Sequence, residues 1–252
     1  MIKIGLLGCG NVGRIIATHA ESIQIVAVFD IIPGRAEELA ALCHARPYTD
    51  FDAFIREDFS LVVEAASVGA VRCYAEAVLQ SGRDIVILSG GALADEEFRE
   101  RLINIARESG RKIRIPSGAI VGLDNLKIGQ ISPPTKLLLR TTKPPASFGL
   151  PITSRTEIFK GLANDCIKQY PKNINVAIAL ELAAGRDADV ELWADPATER
   201  NIHEVFVEGD FGDIYVRVRN VPSPGNPATS YMAALSILTL LKNLENPLVV
   251  GT

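Results

Sequence analysis

Short apolar runs, each followed by a stretch with helical spacing, set the rhythm of the first half of the chain. Lys3-Ile-Gly-Leu-Leu7 leads into Arg14-Ile-Ile-Ala-Thr-His-Ala20, and Ile23-Gln-Ile-Val-Ala-Val-Phe29 leads into a short helix over Arg35 to His44. Leu61-Val-Val-Glu-Ala-Ala66 reads as a buried strand, Val68 to Ser81 as a helix and Asp84-Ile-Val-Ile-Leu-Ser89 as a strand. Asp95 to Ser109 reads as a charged amphipathic helix and Lys112-Ile-Arg-Ile-Pro116 as one more strand. Alternation of this kind predicts a doubly wound parallel sheet with right-handed crossovers.

Beyond residue 116 the pattern changes. Lys136-Leu-Leu-Leu-Arg-Thr-Thr142, Val190-Glu-Leu-Trp-Ala194, Ile202-His-Glu-Val-Phe-Val-Glu208 and Asp213-Ile-Tyr-Val-Arg-Val-Arg219 alternate partly between apolar and polar positions. That pattern predicts an open antiparallel or mixed sheet with one face solvated or covered by a partner. A helical pair is expected within this region, over Thr156 to Gln169 and Asn175 to Ala184. Pro222-Ser-Pro-Gly-Asn-Pro227 reads as a loop, and Thr229 to Leu244 as a long apolar helix returning to the first domain. The expected division is residues 1–118 with 228–252 as a dinucleotide-binding domain, and 119–227 as a substrate and dimerisation domain.

The first strand ends in Gly8-Cys-Gly10-Asn11-Val12-Gly13, which opens a helix. Gly8 permits the tight turn, Gly10 the approach of a pyrophosphate and Gly13 the packing of helix on strand, while the helix N-terminus offers N–H groups to phosphate. Asp30 ends the second strand, twenty residues beyond Gly10, where a carboxylate accepts from ribose hydroxyls and repels a 2'-phosphate. NAD is the cofactor this favours. Arg35, close behind, keeps NADP open. The first domain is therefore expected to be of the Rossmann type, the fold as a whole α/β with a second α+β domain.

Composition narrows the functional classes. With 48% hydrophobic and 22% charged residues the chain is globular, and a net charge of −4 with scattered Lys and Arg argues against nucleic acid. No apolar run reaches the ~18 to 20 residues of a membrane span, and Met1 leads straight into a strand with no signal-peptide pattern, so a cytoplasmic protein is expected. Cys9, Cys43, Cys73 and Cys166 form no CxxC pair, so neither a disulfide framework nor a metal site is expected.

Together with these features, several stretches resemble the L-aspartate dehydrogenases of archaea and bacteria over nearly the whole length. They are Val63-Glu-Ala-Ala66-Ser67, Pro116-Ser-Gly-Ala119-Ile120, Thr142-Lys-Pro-Pro145, Phe159-Lys-Gly-Leu-Ala163, Tyr170-Pro-Lys-Asn-Ile-Asn-Val-Ala177, Ala194-Asp-Pro196 with Asn201-Ile-His203, and Gly225-Asn-Pro-Ala-Thr-Ser230. The resemblance implies NAD(P)-dependent oxidative deamination of L-aspartate, with His203 at the catalytic position and Ala119 and Asn175 touching the nicotinamide cofactor. Iminoaspartate would be released, to hydrolyse to oxaloacetate and ammonia or to serve NAD biosynthesis.

A histidine, with a pKa near ~6.5, serves either as a neutral base or as a cation for a carboxylate, and Asp195 is a candidate to set its tautomer. A dicarboxylate needs further donors, for which Lys143, Thr229 and Ser230 are candidates. Lys143 reads equally as a solvated strand-end lysine. Asn173 reads as a helix cap, Glu64 as a hydrogen-bonded strand-end group, and Ala66 as a cofactor neighbour after the third long strand. His19 and His44 fit helix positions away from the chemistry. The alternatives are a homoserine- or dihydrodipicolinate-type enzyme on the same cofactor domain, or a non-catalytic NAD-sensing protein. A homodimer through the second sheet is expected.

Overall fold

The computed structural model describes residues 1–21, 23–170 and 175–251, so Asn173 lies outside the described residues. The chain divides into two compact units, Met1–Pro116 with Ala234–Val250, and Ser117–Ala233 with the C-terminal residues.

In the first unit, elements follow in the order β1 (Ile2–Leu7), α1 (Asn11–Thr18), β2 (Ile23–Phe29), α2 (Pro33–Cys43), β3 (Arg46–Tyr48), α3 (Phe51–Phe54), β4 (Leu61–Glu64), α4 (Val68–Gln80), β5 (Asp84–Ile87), α5 (Glu96–Ser109) and β6 (Ile113–Arg114). The strands form one sheet in the order β3-β2-β1-β4-β5-β6, every neighbouring pair parallel. The strand order reverses at β1 and β4, and their carboxyl ends carry Gly8 on one side and Ala65–Ala66 on the other. A doubly wound sheet binds its ligand at such a switch point.

Central strands covered on both faces carry continuous apolar runs, and Ile4, Leu6, Val62, Val63 and Ile85 to Ile87 are buried accordingly. Each such side chain contributes about 1.5–3 kcal/mol of burial. Ser67 caps α4 by accepting from Ala70 N–H, and Asp95 caps α5 through Phe98 N–H. Ile237 and Leu241 lie in the same core as Ile4, Leu6 and Val63.

The second unit contains α6 (Leu123–Leu126), β7 (Lys136–Lys143), β8 (Thr156–Leu162), α7 (Ala163–Gln169), α8 (Asn175–Ala184), β9 (Asp189–Ala194), β10 (Ile202–Gly209), β11 (Gly212–Arg219), β12 (Pro222–Ser223) and β13 (Asn226–Ser230), before α9 (Tyr231–Asn243). Its main sheet runs β11-β10-β7-β9-β8, with β7 and β9 parallel and the other neighbours antiparallel.

Two segments differ from the sequence reading. Thr156 to Gln169 is not one helix, since its first half is the edge strand β8. The pairing of β8 with β9 shifts between Glu157 and Phe159, and this bulge breaks the period-2 pattern that would have identified a strand. Nor is Pro222 to Pro227 an unpaired loop: β12 and β13 form a two-stranded ribbon. Proline is tolerated in such an edge because its missing N–H is not required.

Register decides which side chains share a face. Thr141 faces His203 across β7 and β10, Leu139 faces Val205, and Leu137 faces Val207. On the other side of β7, Thr141 pairs with Leu192 and Lys143 with Ala194. One face is therefore apolar along Leu137, Leu139, Val190, Leu192, Val205 and Val207, all buried, and ends in three polar side chains, Thr141, Lys143 and His203.

Candidate active site

Two groups of site residues assemble, one in each unit. In the first, Gly8 sits at φ 108°, which a side chain rarely adopts, and its N–H donates to Phe29 O at 2.8 Å. A Cβ on Gly13 would lie 2.3 Å from Gly8 O, whereas a Cβ on Gly10 would meet nothing within 4 Å. The first and third glycines thus hold helix against turn, and the second leaves open space. Gly10 caps α1 without a side-chain hydrogen bond, so the helix start led by Asn11 and Val12 is not plugged by its own cap.

Asp30 is held on both carboxylate oxygens, accepting from Cys9 N–H at 2.9 Å and Ile32 N–H at 2.9 Å. A cavity of about 350 Å³ opens beside it, lined in part by Gly8, Asp30, Ile31, Ala66, Ser67 and Tyr74. The open Gly10, the fixed acid and this cavity fit a dinucleotide. Cys9, within the glycine loop, has its thiol pushed up to about 12, first by burial and then by Asp30, so it is no thiolate nucleophile.

Glu64 is fully buried. It accepts from Ala66 N–H at 2.8 Å, Ser89 N–H at 2.9 Å and Ser89 Oγ–H at 2.8 Å. Burial raises its pKa, against the lowering effect of these donors. Its visible work is to pin the turns after β4 and β5.

In the second unit, His203 is buried, and its Nδ1 lies 2.9 Å from Thr141 Oγ1. Thr141, not Asp195, is the partner of this ring nitrogen. Asp195 instead accepts on Oδ1 from Ala197 N–H at 2.8 Å, an Asx turn, with Arg155 4.0 Å from Oδ2. In the tautomer whose Nδ1–H donates to that hydroxyl, Nε2 presents a lone pair. Burial, and then the charge of Lys143, push the His203 pKa down to about 3, so at neutral pH the imidazole is a neutral base or acceptor and not a cation.

Lys143 is buried rather than solvated, on the same sheet face at the end of β7. Burial pushes its pKa down to about 8, opposed by Cys166. The ammonium is the cation of this site, and the imidazole its neutral partner.

The remaining cofactor and substrate candidates also belong to the second unit. Ala119 O accepts from Asn220 Nδ2–H at 2.9 Å, and Ser230, buried, donates from Oγ to Asn220 Oδ1 at 2.7 Å. Thr229 is half-buried beside Ser230 on β13, and Asn175 is exposed at the first position of α8. Thr141 and Asn220 carry no local motif, and only strand register and tertiary packing reveal them. His19 is exposed and its Nδ1 contacts Ile15 O, while His44 ends α2 in the left-handed conformation. Among the described residues no group of three metal-ligating side chains occurs, and no helix is long and apolar enough to cross a membrane.

A glycine turn and acid at the switch point of a parallel sheet, with a separate mixed-sheet unit bearing a buried lysine and histidine, define a nicotinamide-dinucleotide oxidoreductase. Comparison with known proteins makes this particular. Residues 7–116 match the family described as homoserine dehydrogenase, NAD binding domain, and residues 124–244 match aspartate dehydrogenase, C-terminal. An L-aspartate dehydrogenase of Methanospirillum hungatei is 60% identical over 252 residues, covering all of both chains. One from Methanothermobacter thermautotrophicus is 41% identical, covering 100% of this chain and 99% of that one. The crystal structure of aspartate dehydrogenase from Thermotoga maritima superposes with a TM-score of 0.83 at 31% identity, each chain covered in full. The chain belongs to the L-aspartate dehydrogenase family.

Proposed function

We propose that the protein oxidises L-aspartate with NAD(P), that His203 is its catalytic residue, and that Lys143, Thr229 and Ser230 hold the substrate. One observation carries this reading: two basic side chains, Lys143 and His203, are buried together on one sheet face at a cost to both. A carboxylate of a dicarboxylate that binds there pairs with the Lys143 ammonium, and the neutral imidazole offers a proton acceptor beside it.

Gly8, Gly10, Asn11, Val12 and Gly13 would hold the pyrophosphate, Asp30 the ribose, and Ala66, Ala119 and Asn175 the remainder of the dinucleotide. NAD(P), held by these residues, would supply the acceptor for the hydride that leaves the substrate Cα. Lys143 pairs with a substrate carboxylate. His203, neutral and fixed at Nδ1 by Thr141, accepts at Nε2 a proton from the substrate amine or from the water that attacks the imine. The product is iminoaspartate, which hydrolyses to oxaloacetate and ammonia or serves NAD biosynthesis. Asp30, with both oxygens fixed toward the ribose position, favours NAD over NADP.

In this reading residues 1–118 with 228–252 bind cofactor, and 119–227 bind substrate and a second copy of the chain in a cytoplasmic homodimer. The face of the second sheet opposite His203 supports the last point. It carries Trp193, Phe206 and Tyr215, and its Glu191 and Glu204 are already paired with Arg140 and Arg217. Sedimentation at micromolar concentration reads out the expected dimer, and a monomer removes that assignment.

Deuterium at Cα of L-aspartate tests the reaction. Direct transfer places the label on the reduced nicotinamide; label recovered in solvent contradicts the proposal.

A further inference from the structure

Asn220 follows β11 and is 2% exposed. Its Nδ2–H donates to Ala119 O, its Oδ1 accepts from Ser230 Oγ–H, and its backbone N–H donates to Asn201 O at 2.8 Å. One buried residue thus joins the Ala119 loop, the chain two residues before His203, and Ser230.

The direction of these bonds is forced. A carbonyl only accepts, so the amide must turn its NH₂ to Ala119 O, which leaves its oxygen facing Ser230. A hydroxyl has a single proton, and the Ser230 proton is spent on that oxygen. Beyond that bond, Ser230 Oγ has lone pairs alone to offer. A side chain so constrained is a poor partner for a carboxylate and a good one for an ammonium or amine.

We infer that Asn220 is a positioning residue that orients the Ser230 hydroxyl, and that Ser230 thereby recognises the amino group of the substrate rather than a carboxylate. The inference rests on the placement of the substrate beside Ser230 proposed above. It assigns selection of amino over plain dicarboxylates to a relay that starts at the Ala119 carbonyl. Lys143 serves the carboxylate, and Ser230 the nitrogen.

The test is binding of L-aspartate and of succinate, which lacks the amine, to the protein loaded with NADH, where no oxidation of aspartate proceeds. Calorimetry should give the parent protein a preference for aspartate of about tenfold or more, the worth of one hydrogen bond to a charged group. In Ser230→Ala the ratio falls toward one while succinate affinity stays within about threefold. Asn220→Leu, which frees the hydroxyl proton, does the same, and the double variant loses no more than either single one. Ser230→Ala leaves Asn220 in place and carries the test if Asn220→Leu does not fold. An unchanged aspartate-to-succinate ratio in Ser230→Ala overturns the inference. If the parent protein binds neither dicarboxylate, the substrate site itself is misplaced and the inference falls with it.

Discussion

Replacing Lys143 by Met should make the protein more stable and inactive at once. The lysine is buried, and its pKa lies at about 8 instead of the ordinary 10.5. At about 1.4 kcal/mol per tenfold change, that drop corresponds to about 3 kcal/mol of destabilisation from the desolvated ammonium. Loss of the contacts that the ammonium makes, at about 1 kcal/mol for a hydrogen bond, trims the expected gain in Lys143→Met to about 2 kcal/mol at pH 7.

The sign across pH follows from linkage. Between pH 8 and 10.5 the unfolded chain holds the lysine proton more tightly than the folded one, so stability of the parent protein rises with pH through this window. Below pH 8 the penalty is complete, and above 10.5 it has vanished. The variant lacks this rise, so the two curves should cross between pH 8 and 10.5.

Urea unfolding followed by tryptophan fluorescence is the assay, because the single tryptophan, Trp193, lies on β9 beside β7 in the unit that holds Lys143. Aspartate oxidation should fall at least about 100-fold in the same variant, the order of 3 kcal/mol in the transition state. A Lys143→Met protein no more stable than its parent at pH 7, with a parallel pH dependence, refutes the buried-cation argument.

Other substitutions separate the parts of the site. Thr141→Val removes the partner of His203 Nδ1 and should lower kcat by about 10- to 100-fold, with Thr141→Ser restoring most of it; equal activity in the Val variant contradicts the tautomer assignment. His203→Ala should lower turnover by about 10² to 10⁴ and leave NADH affinity unchanged, and affinity that falls as steeply as turnover argues against a catalytic role. Gly13→Ala sets a methyl against Gly8 O, so NAD affinity should drop and stability fall by about 1–3 kcal/mol, read by calorimetry and thermal melts. Asp30→Ala should raise the KM for NAD about tenfold and narrow its advantage over NADP, whereas unchanged values for both remove the ribose assignment.

The parallel sheet was legible because its central strands are buried on both faces and so are written as unbroken apolar runs, and because Gly8, Gly10, Gly13 and Asp30 work within a few residues of a strand end. β8 was not legible. It is an edge strand with a bulge at Ile158, and its exposed polar residues ran into the true helix that begins at Ala163. His203 and Lys143 stood out as residue types, but their burial did not. That property belongs to the sheet face formed when β10 pairs with β7 across a sequence separation of 62, as the Thr141 contact measures. For the same reason Asp195, eight positions away in sequence, is the expected partner of His203, while the distant Thr141 is the one that meets its ring. Asn220 is an unremarkable strand-end residue until the chain brings Ala119 and Ser230 to either side of it.

We propose that the dinucleotide held by the glycine turn and the pair Lys143 and His203 act on one small dicarboxylate. A crystal structure of the protein with NADH and malonate tests it most directly. The account predicts Lys143 Nζ and His203 Nε2 within about 3 Å of malonate polar atoms, and the nicotinamide C4 about 3–3.5 Å from the malonate central carbon. Malonate bound away from His203, with the imidazole more than about 10 Å from the nicotinamide ring and so far beyond reach of a reacting atom, would contradict it.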